Sequence, residues 1–280
     1  MERIGALAGA FSAGVALLDR HSDAEHNRTV LTLAGEPAAL GAALAEGAAA
    51  AIEAVDMTAH TGLHPAVGAL DVCPLVWPEP SAREAARAAA IEVAEAIGDL
   101  GVPVFLYGEL AASPDRAERA FFRNGGPAEL WLRMEGGELR PDRGPALPHR
   151  TAGATLVTAR PPLAAFNIEL DSSDVEVARA VAAGLRESGG GPPGVRAIGL
   201  ALASGRSQVS TNVHDPVAVP LGEVVERARL LAAPLGARPV EAELIGLAPA
   251  AALAGYPADV PIRDFDPARQ TLEPRLAALP

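Results

Sequence analysis

Two of the chain's six histidines fall in one stretch, Asp56 to Pro74 (Asp-Met-Thr-Ala-His-Thr-Gly-Leu-His-Pro-Ala-Val-Gly-Ala-Leu-Asp-Val-Cys-Pro), at the approach to an apolar run. His60 and His64 are four residues apart, a spacing that sets two metal ligands on one helix face, but Gly62 lies between them and Pro65 follows. A residue before proline is pushed out of the α region, so His64 is expected on a turn at the mouth of a strand running from Gly68 to Trp77. A base or acid held on a short loop by a rigid strand is what proton transfer at neutral pH requires. A histidine that merely hydrogen-bonds a backbone group beside the turn fits the same residues, and both readings stay open at this level. Asp71 either orients a histidine or faces solvent. His60 reads as a supporting residue. A mononuclear site built from His21, His60 and His64 lacks diagnostic spacing, and no metal is expected.

Outside this stretch, the loop Asp19 to Arg28 packs two histidines, three acids and two arginines into ten residues. It is a binding loop or a solvated turn, and composition favours the turn, with His21 and His26 solvated beside their acids. The formal charge of −12 means that an anionic substrate must be held by local arginines, whose planar fork suits carboxylates bidentately. Arg28, entering a strand, and Arg160, between strands in Ala-Arg-Pro, are the candidates. Asn167, Gln208 and Asn212 are polar residues in otherwise apolar strands; if they point inward they must find partners, and a polar ligand is one.

Composition excludes several chemistries. The chain has no lysine, and all 23 basic residues are arginine, which removes Schiff-base and P-loop lysine mechanisms. The negative charge argues against a general nucleic-acid binder. No apolar run approaches the roughly 18 residues of a bilayer span, so no membrane association and a cytoplasmic location are expected. Cys73 is the single cysteine, which excludes an intrachain disulfide and a cysteine-rich zinc site.

The elements that must position these residues read as two halves. Val15–Leu18 and Thr29–Leu33 are expected strands, 35–55 a helix opened by Pro37, Ser81–Leu100 a helix with a capping box at Ser81 and Glu84, and Val102–Tyr107 a strand. Pro114–Met134 reads as short helices covering an edge. The segment from Gly136 to Arg150, rich in Pro, Gly and Arg, places a domain boundary, giving domains 1–148 and 149–280, the second beginning with a strand at Gly153–Thr158. From Ala164 the order is strand, helix, strand, strand, helix, strand, the ferredoxin-like split βαβ order. The cluster Gly189-Gly190-Gly191 follows a helix and reads as its stop, not as a phosphate cradle.

The stretch from Asp56 also resembles the formiminotransferase family, whose members carry a motif close to Asp-Met-x-x-His-x-Gly-Glu-His-Pro-Arg-Met-Gly-Ala-x-Asp-Val-Cys-Pro. Asp56, Met57, His60, Gly62, His64, Pro65, Gly68, Ala69, Asp71, Val72, Cys73 and Pro74 match it. Leu63, Ala66 and Val67 stand where the family has Glu, Arg and Met. Similar strings recur at Asn27-Arg28-Thr29-Val30, Ala159-Arg160-Pro161, Phe166-Asn167-Ile168 and Gln208-Val209-Ser210-Thr211-Asn212. The match fails at the start, where the family opens with a strand carrying Val-Pro-Asn-Phe-Ser-Glu-Gly and this chain keeps only Phe11-Ser12-Ala13-Gly14.

The resemblance implies an α+β fold of two ferredoxin-like α/β-sandwich subdomains with a tunnel or cleft between them. It implies folate-dependent one-carbon transfer in histidine degradation, from N-formiminoglutamate to tetrahydrofolate as co-substrate. His64 would be the general acid/base. Asn27, Arg28, His21, His60, Asp71, Arg160, Asn167, Gln208 and Asn212 form the candidate substrate- or folate-binding set. The partners expected are small-molecule substrates and a second copy of the chain in a homodimer. Because Leu63 and Ala66 remove two ionic groups beside His64, an alternative is a repurposed enzyme of a biosynthetic pathway acting on a less charged substrate, without folate. A binding protein that kept the fold and lost catalysis is the third reading, set against the survival of His64.

Overall fold

The computed structural model describes residues 2–279 and divides into two compact units, Met1–Leu17 with Ser22–Pro161, and Leu18–His21 with Pro162–Pro280. The chain is a mixed α+β fold in two subdomains.

The first unit opens with a helix, α1 (Glu2–Phe11), where the resemblance led to the expectation of an altered strand. Its Phe11 ring sits over α2 (Pro37–Ala54) at Gly47, where an added Cβ would lie 2.1 Å from the ring. Between the two helices β1 (Ala16–Asp23) and β2 (Arg28–Ala34) pair as a hairpin. The turn passes through Asn27 at φ 47, a left-handed conformation that asparagine adopts more readily than most residues. Beyond α2 come β3 (Val72–Val76), α3 (Arg83–Asp99), β4 (Val104–Leu106), α4 (Arg119–Arg123), α5 (Gly126–Glu135) and β5 (Thr155–Arg160). The helix α3 begins without the expected cap: Ser81 lies in a 3-10 turn, Pro80–Ala82, and no side chain caps the first helical residues.

Strands β3, β5 and β4 form a parallel sheet in that order, with Val72 beside Leu156 and Val104 beside Thr155. The strand that the composition break assigned to the second half is therefore the centre of the first unit's sheet. Its burial shows why: Leu156, Val157 and Ala159 are covered on both faces, as parallel strands are. One face packs on Ala90, Val93, Ala94 and Ile97 of α3; the other meets Phe105, Phe122 and Leu130.

The strand expected from Gly68 is shorter at its start, because residues 63–71 form a folded loop instead. That loop is seated by backbone contacts: Gly68 bridges Gly153, Ala69 N donates to Ala152 O at 2.9 Å, and Ala154 N donates to Val67 O at 3.0 Å.

In the second unit β6 (Ala164–Leu170), α6 (Val175–Leu185), β7 (Val195–Ala201), β8 (Ser207–Val213), α7 (Leu221–Ala232) and β9 (Pro239–Ile245) follow the expected order. The sheet runs β9-β6-β8-β7 with every pairing antiparallel, which is the ferredoxin-like arrangement. Asp174 caps α6 by accepting from Glu176 N at 2.9 Å, and the glycine cluster ends that helical region, with Gly190 at φ 83. Phe166, Ile168, Leu170, Val209 and Val213 face the helices and form the core, so the alternate positions lie on the opposite face. Among the described residues no helix is long and apolar enough to cross a membrane.

A Cβ on Gly68 would lie 2.0 Å from Ala154 O and 2.6 Å from Ala152 O. Gly68→Ala is therefore expected to destabilise the protein by about 1–3 kcal/mol, the range for overpacking a close contact, read as a lower urea midpoint at unchanged slope. An unchanged midpoint would mean that the loop seat is compliant.

Candidate functional site

The loop carrying His64 rests on the β1–β2 turn. Leu63 N donates to Glu25 O at 3.2 Å, and Asn27 Nδ2 donates to Thr61 O at 2.9 Å and lies 3.3 Å from His60 Nδ1. Gly62 allows this approach, since a Cβ there would stand 2.6 Å from His26 O. Asn27 and His60 are thus brought together, but their side chains tie two loops to each other.

Asp71 closes the other end of the loop. Its Oδ1 accepts from Val67 N at 2.7 Å, and Oδ2 pairs with Arg123 of α4. It neither orients a histidine by a hydrogen bond nor stands free in solvent, the two options left open by the sequence.

His26, expected in solvent beside its acids, is 2% exposed. Asp23 Oδ1 accepts from His26 N at 2.7 Å and lies 3.0 Å from its Nδ1, off the line of a good hydrogen bond, and Nε2 has no partner. The turn folds the imidazole inward, where its centroid is 6.5 Å from that of His64.

Around His64 the electrostatics are one-signed. Burial first, then Arg28, Arg123, Arg119 and His26 in turn, push its pKa down to about 2. The imidazole is therefore neutral through the physiological range, with a lone pair available as a base. Burial also lowers the Arg28 and Arg123 pKa values; Arg123 and Arg119 add to the effect at Arg28, and at Arg123 the pairing with Asp71 opposes it while Arg119 reinforces it. Arg160, at the end of β5, is brought to about 10 by burial, which the Tyr107 hydroxyl opposes and Arg119 reinforces; it is still cationic at neutral pH, and Nη1 donates to Pro161 O at 2.9 Å. What the geometry offers is a neutral base beside several guanidiniums, an arrangement that attracts carboxylates.

Arg119 and Arg123 were missed by the sequence reading. Both sit in the charged, glycine-interrupted segment read only as short helices over an edge. Their spacing of four, which puts two residues on one helix face, was the available signal.

The remaining candidates belong to the second unit. Asn167, Gln208 and Asn212 lie on the sheet face opposite the helices, as the register pairs Ala165 with Asn212 and Glu169 with Gln208. Asn167 Nδ2 donates to Glu243 Oε2 at 3.3 Å, and His21 Nε2 is 3.5 Å from Glu243 Oε1. Gln208 is 2% exposed, yet its Oε1 has no partner. Buried Glu169 on the same face, not singled out from sequence, is held by Arg206 and Arg263.

Residues 1–160 match the family model described as the formiminotransferase domain, N-terminal subdomain, and residues 165–257 the one described as the formiminotransferase domain. The glutamate formimidoyltransferase of Streptococcus pyogenes serotype M1 is 38% identical over 94% of this chain and 89% of its own length. That of Thermoplasma acidophilum is 35% identical over 85% and 80%. The formimidoyltransferase-cyclodeaminase of Mus musculus is 38% identical over 90% of this chain but only 48% of its own length.

His64 is neutral in the native state, whereas in the unfolded chain it protonates near 6.5. Stability present above that pH is therefore lost as pH falls below it, where only the unfolded state gains the proton. In an NMR titration of the unliganded protein, the His64 ring signals are expected to stay constant from about pH 8 to about pH 5, the window in which an ordinary histidine titrates. A midpoint near the usual value would show that the guanidiniums do not bear on the ring.

Proposed function

The chain belongs to the formiminotransferase family, and on that premise we propose that it transfers the formimino group of N-formiminoglutamate to tetrahydrofolate and releases glutamate. The observation that carries this reading is the neutral, half-buried His64 among Arg28, Arg119 and Arg123. A dicarboxylate donor needs cations to hold it, and the transfer needs a base that starts unprotonated.

In the second unit, Gln208 Oε1 is a buried acceptor without a partner, suited to an N–H donor of a polar ligand. Tetrahydrofolate supplies the nucleophilic nitrogen that attacks the formimino carbon.

His64 takes the proton lost by that nitrogen as the new C–N bond forms, and returns a proton to the nitrogen of glutamate as the old C–N bond breaks. No net proton is gained or lost at the imidazole. Binding of two substrate carboxylates near the arginines offsets their field and raises the His64 pKa from its low starting value, which makes the imidazolium a usable donor in the second half of the reaction. Asp71 acts at one remove, by fixing the loop and Arg123.

A second reading, a related enzyme with a less charged substrate, rests on Leu63, 40% exposed on the His64 loop, and on Ala66. Formimino transfer by the unmodified chain separates the two: robust turnover supports the first, and turnover only after Leu63→Glu with Ala66→Arg supports the second.

His64→Ala is expected to fold with an unchanged circular dichroism spectrum and to lose at least about 10² in kcat, the lower end of what a positioned acid/base contributes. Near wild-type turnover would remove His64 from the chemistry.

A further inference from the structure

The family motif carries an arginine where this chain has Ala66, one residue beyond Pro65 of the His64 loop. The structure nevertheless brings guanidiniums to the His64 loop from other elements: Arg123 of α4 pairs with Asp71 at the end of the loop, Arg119 stands four residues before it on the same short helix, and Arg28 opens β2 just after the turn on which the loop rests; all three act on the imidazole. Their commitments differ. Arg123 is paired with Asp71, and Arg160 donates to the Pro161 carbonyl. The guanidinium groups of Arg28 and Arg119 make no hydrogen bond or ion pair among the described residues, although Asp23 and Asp71 attract Arg28 at longer range, and both residues are half-buried.

The short helix that presents Arg119 is fixed in place. Phe122 is fully buried, its ring 5.0 Å from that of Phe105 and 5.1 Å from that of Phe121. Arg133 caps Phe121 from above at 4.5 Å and donates to its carbonyl oxygen at 2.7 Å. A half-buried cation on a rigid element, beside other cations and without a carboxylate of its own, costs stability and is retained where an anion supplies the missing charge.

We propose that Arg119 is a specificity-determining residue that binds a carboxylate of the donor substrate, standing in from α4 for the arginine absent at position 66. Two guanidiniums are uncommitted, Arg28 and Arg119, and a glutamate-type donor has two carboxylates. The inference rests on the dicarboxylate reading given under Proposed function. It also accounts for how a chain lacking the motif arginine can keep a formiminoglutamate-type substrate.

The test uses the full chain and three variants: Arg119→Gln, Arg119→Gln with Ala66→Arg, and Arg179→Gln as an exposed control. Three quantities are measured: steady-state formimino transfer with each substrate varied, calorimetric binding of L-glutamate, and the melting temperature. For Arg119→Gln the KM for N-formiminoglutamate and the Kd for L-glutamate are expected to rise about tenfold to a hundredfold, the loss of a hydrogen bond to a charged group. The kcat and the KM for tetrahydrofolate are expected to hold, the melting temperature to hold or rise, and Ala66→Arg to restore part of the loss. Unchanged KM and Kd would overturn the proposal while leaving the transferase reading in place. A rise confined to the KM for tetrahydrofolate would also overturn it, by assigning Arg119 to the glutamyl tail of the folate. A wild-type chain that binds L-glutamate through Arg119 yet transfers no formimino group would support Arg119 and overturn the reaction. Failure of the wild-type chain to bind L-glutamate at millimolar concentration would overturn both.

Discussion

The carboxylate of Asp71 bears on every part of the first unit's site. One oxygen ends the loop by taking the Val67 amide, and the other holds Arg123, 52 residues away in sequence, from α4. Two segments that share no sheet register are joined through this one side chain. It is also a counter-charge within a group of guanidiniums that repel one another, paired with Arg123 and, with Asp23, attracting Arg28. Removing one partner of a fully buried pair costs about 3–5 kcal/mol; this pair is part-exposed, so solvent takes up some of that loss. The larger consequence is positional, because the loop and α4 lose their common anchor together.

A protein of formal charge −12 that handles anions faces an opposing long-range field. The cluster answers it locally. Charges beyond a Debye length of about 8 Å at physiological salt are largely screened, so the acidic surface fades over a distance at which Arg28, Arg119 and Arg123 still act on a bound group. Low local solvation strengthens them further. Burial and the same field keep the imidazole of His64 unprotonated.

Much of this was legible in the sequence, and the exceptions have physical reasons. The second unit followed from alternation and turn chemistry: Asp174 capped its helix, Gly205 turned its hairpin, and the four strands paired in the ferredoxin-like order. The strand Thr155–Arg160 was recognised as a strand but given to the wrong half, because a composition break at 136–150 says nothing about which sheet the next segment joins. The capping box at Ser81 failed since Pro80 opened a 3-10 turn first. His64 was found from its Pro65 neighbour and motif. Arg119 and Arg123 were not, because surface arginines on a short helix look alike until a fold brings distant elements to one point. His26 reversed its expected environment for the same reason: the burial of one face of a tight turn is decided by what packs on it.

Besides the side chains of Asp71 and Asn27, the loop bearing His64 is held through backbone groups, by the bridge of Gly68 to Gly153 and the amide–carbonyl bonds that flank it. Main-chain bonds do not depend on which side chains the loop carries. Leu63 and Ala66 can therefore differ from the motif without displacing the backbone that carries His64. Such an arrangement separates the placement of the imidazole from the chemistry of its two flanks, so side chains at 63 and 66 can be exchanged with the scaffold left intact.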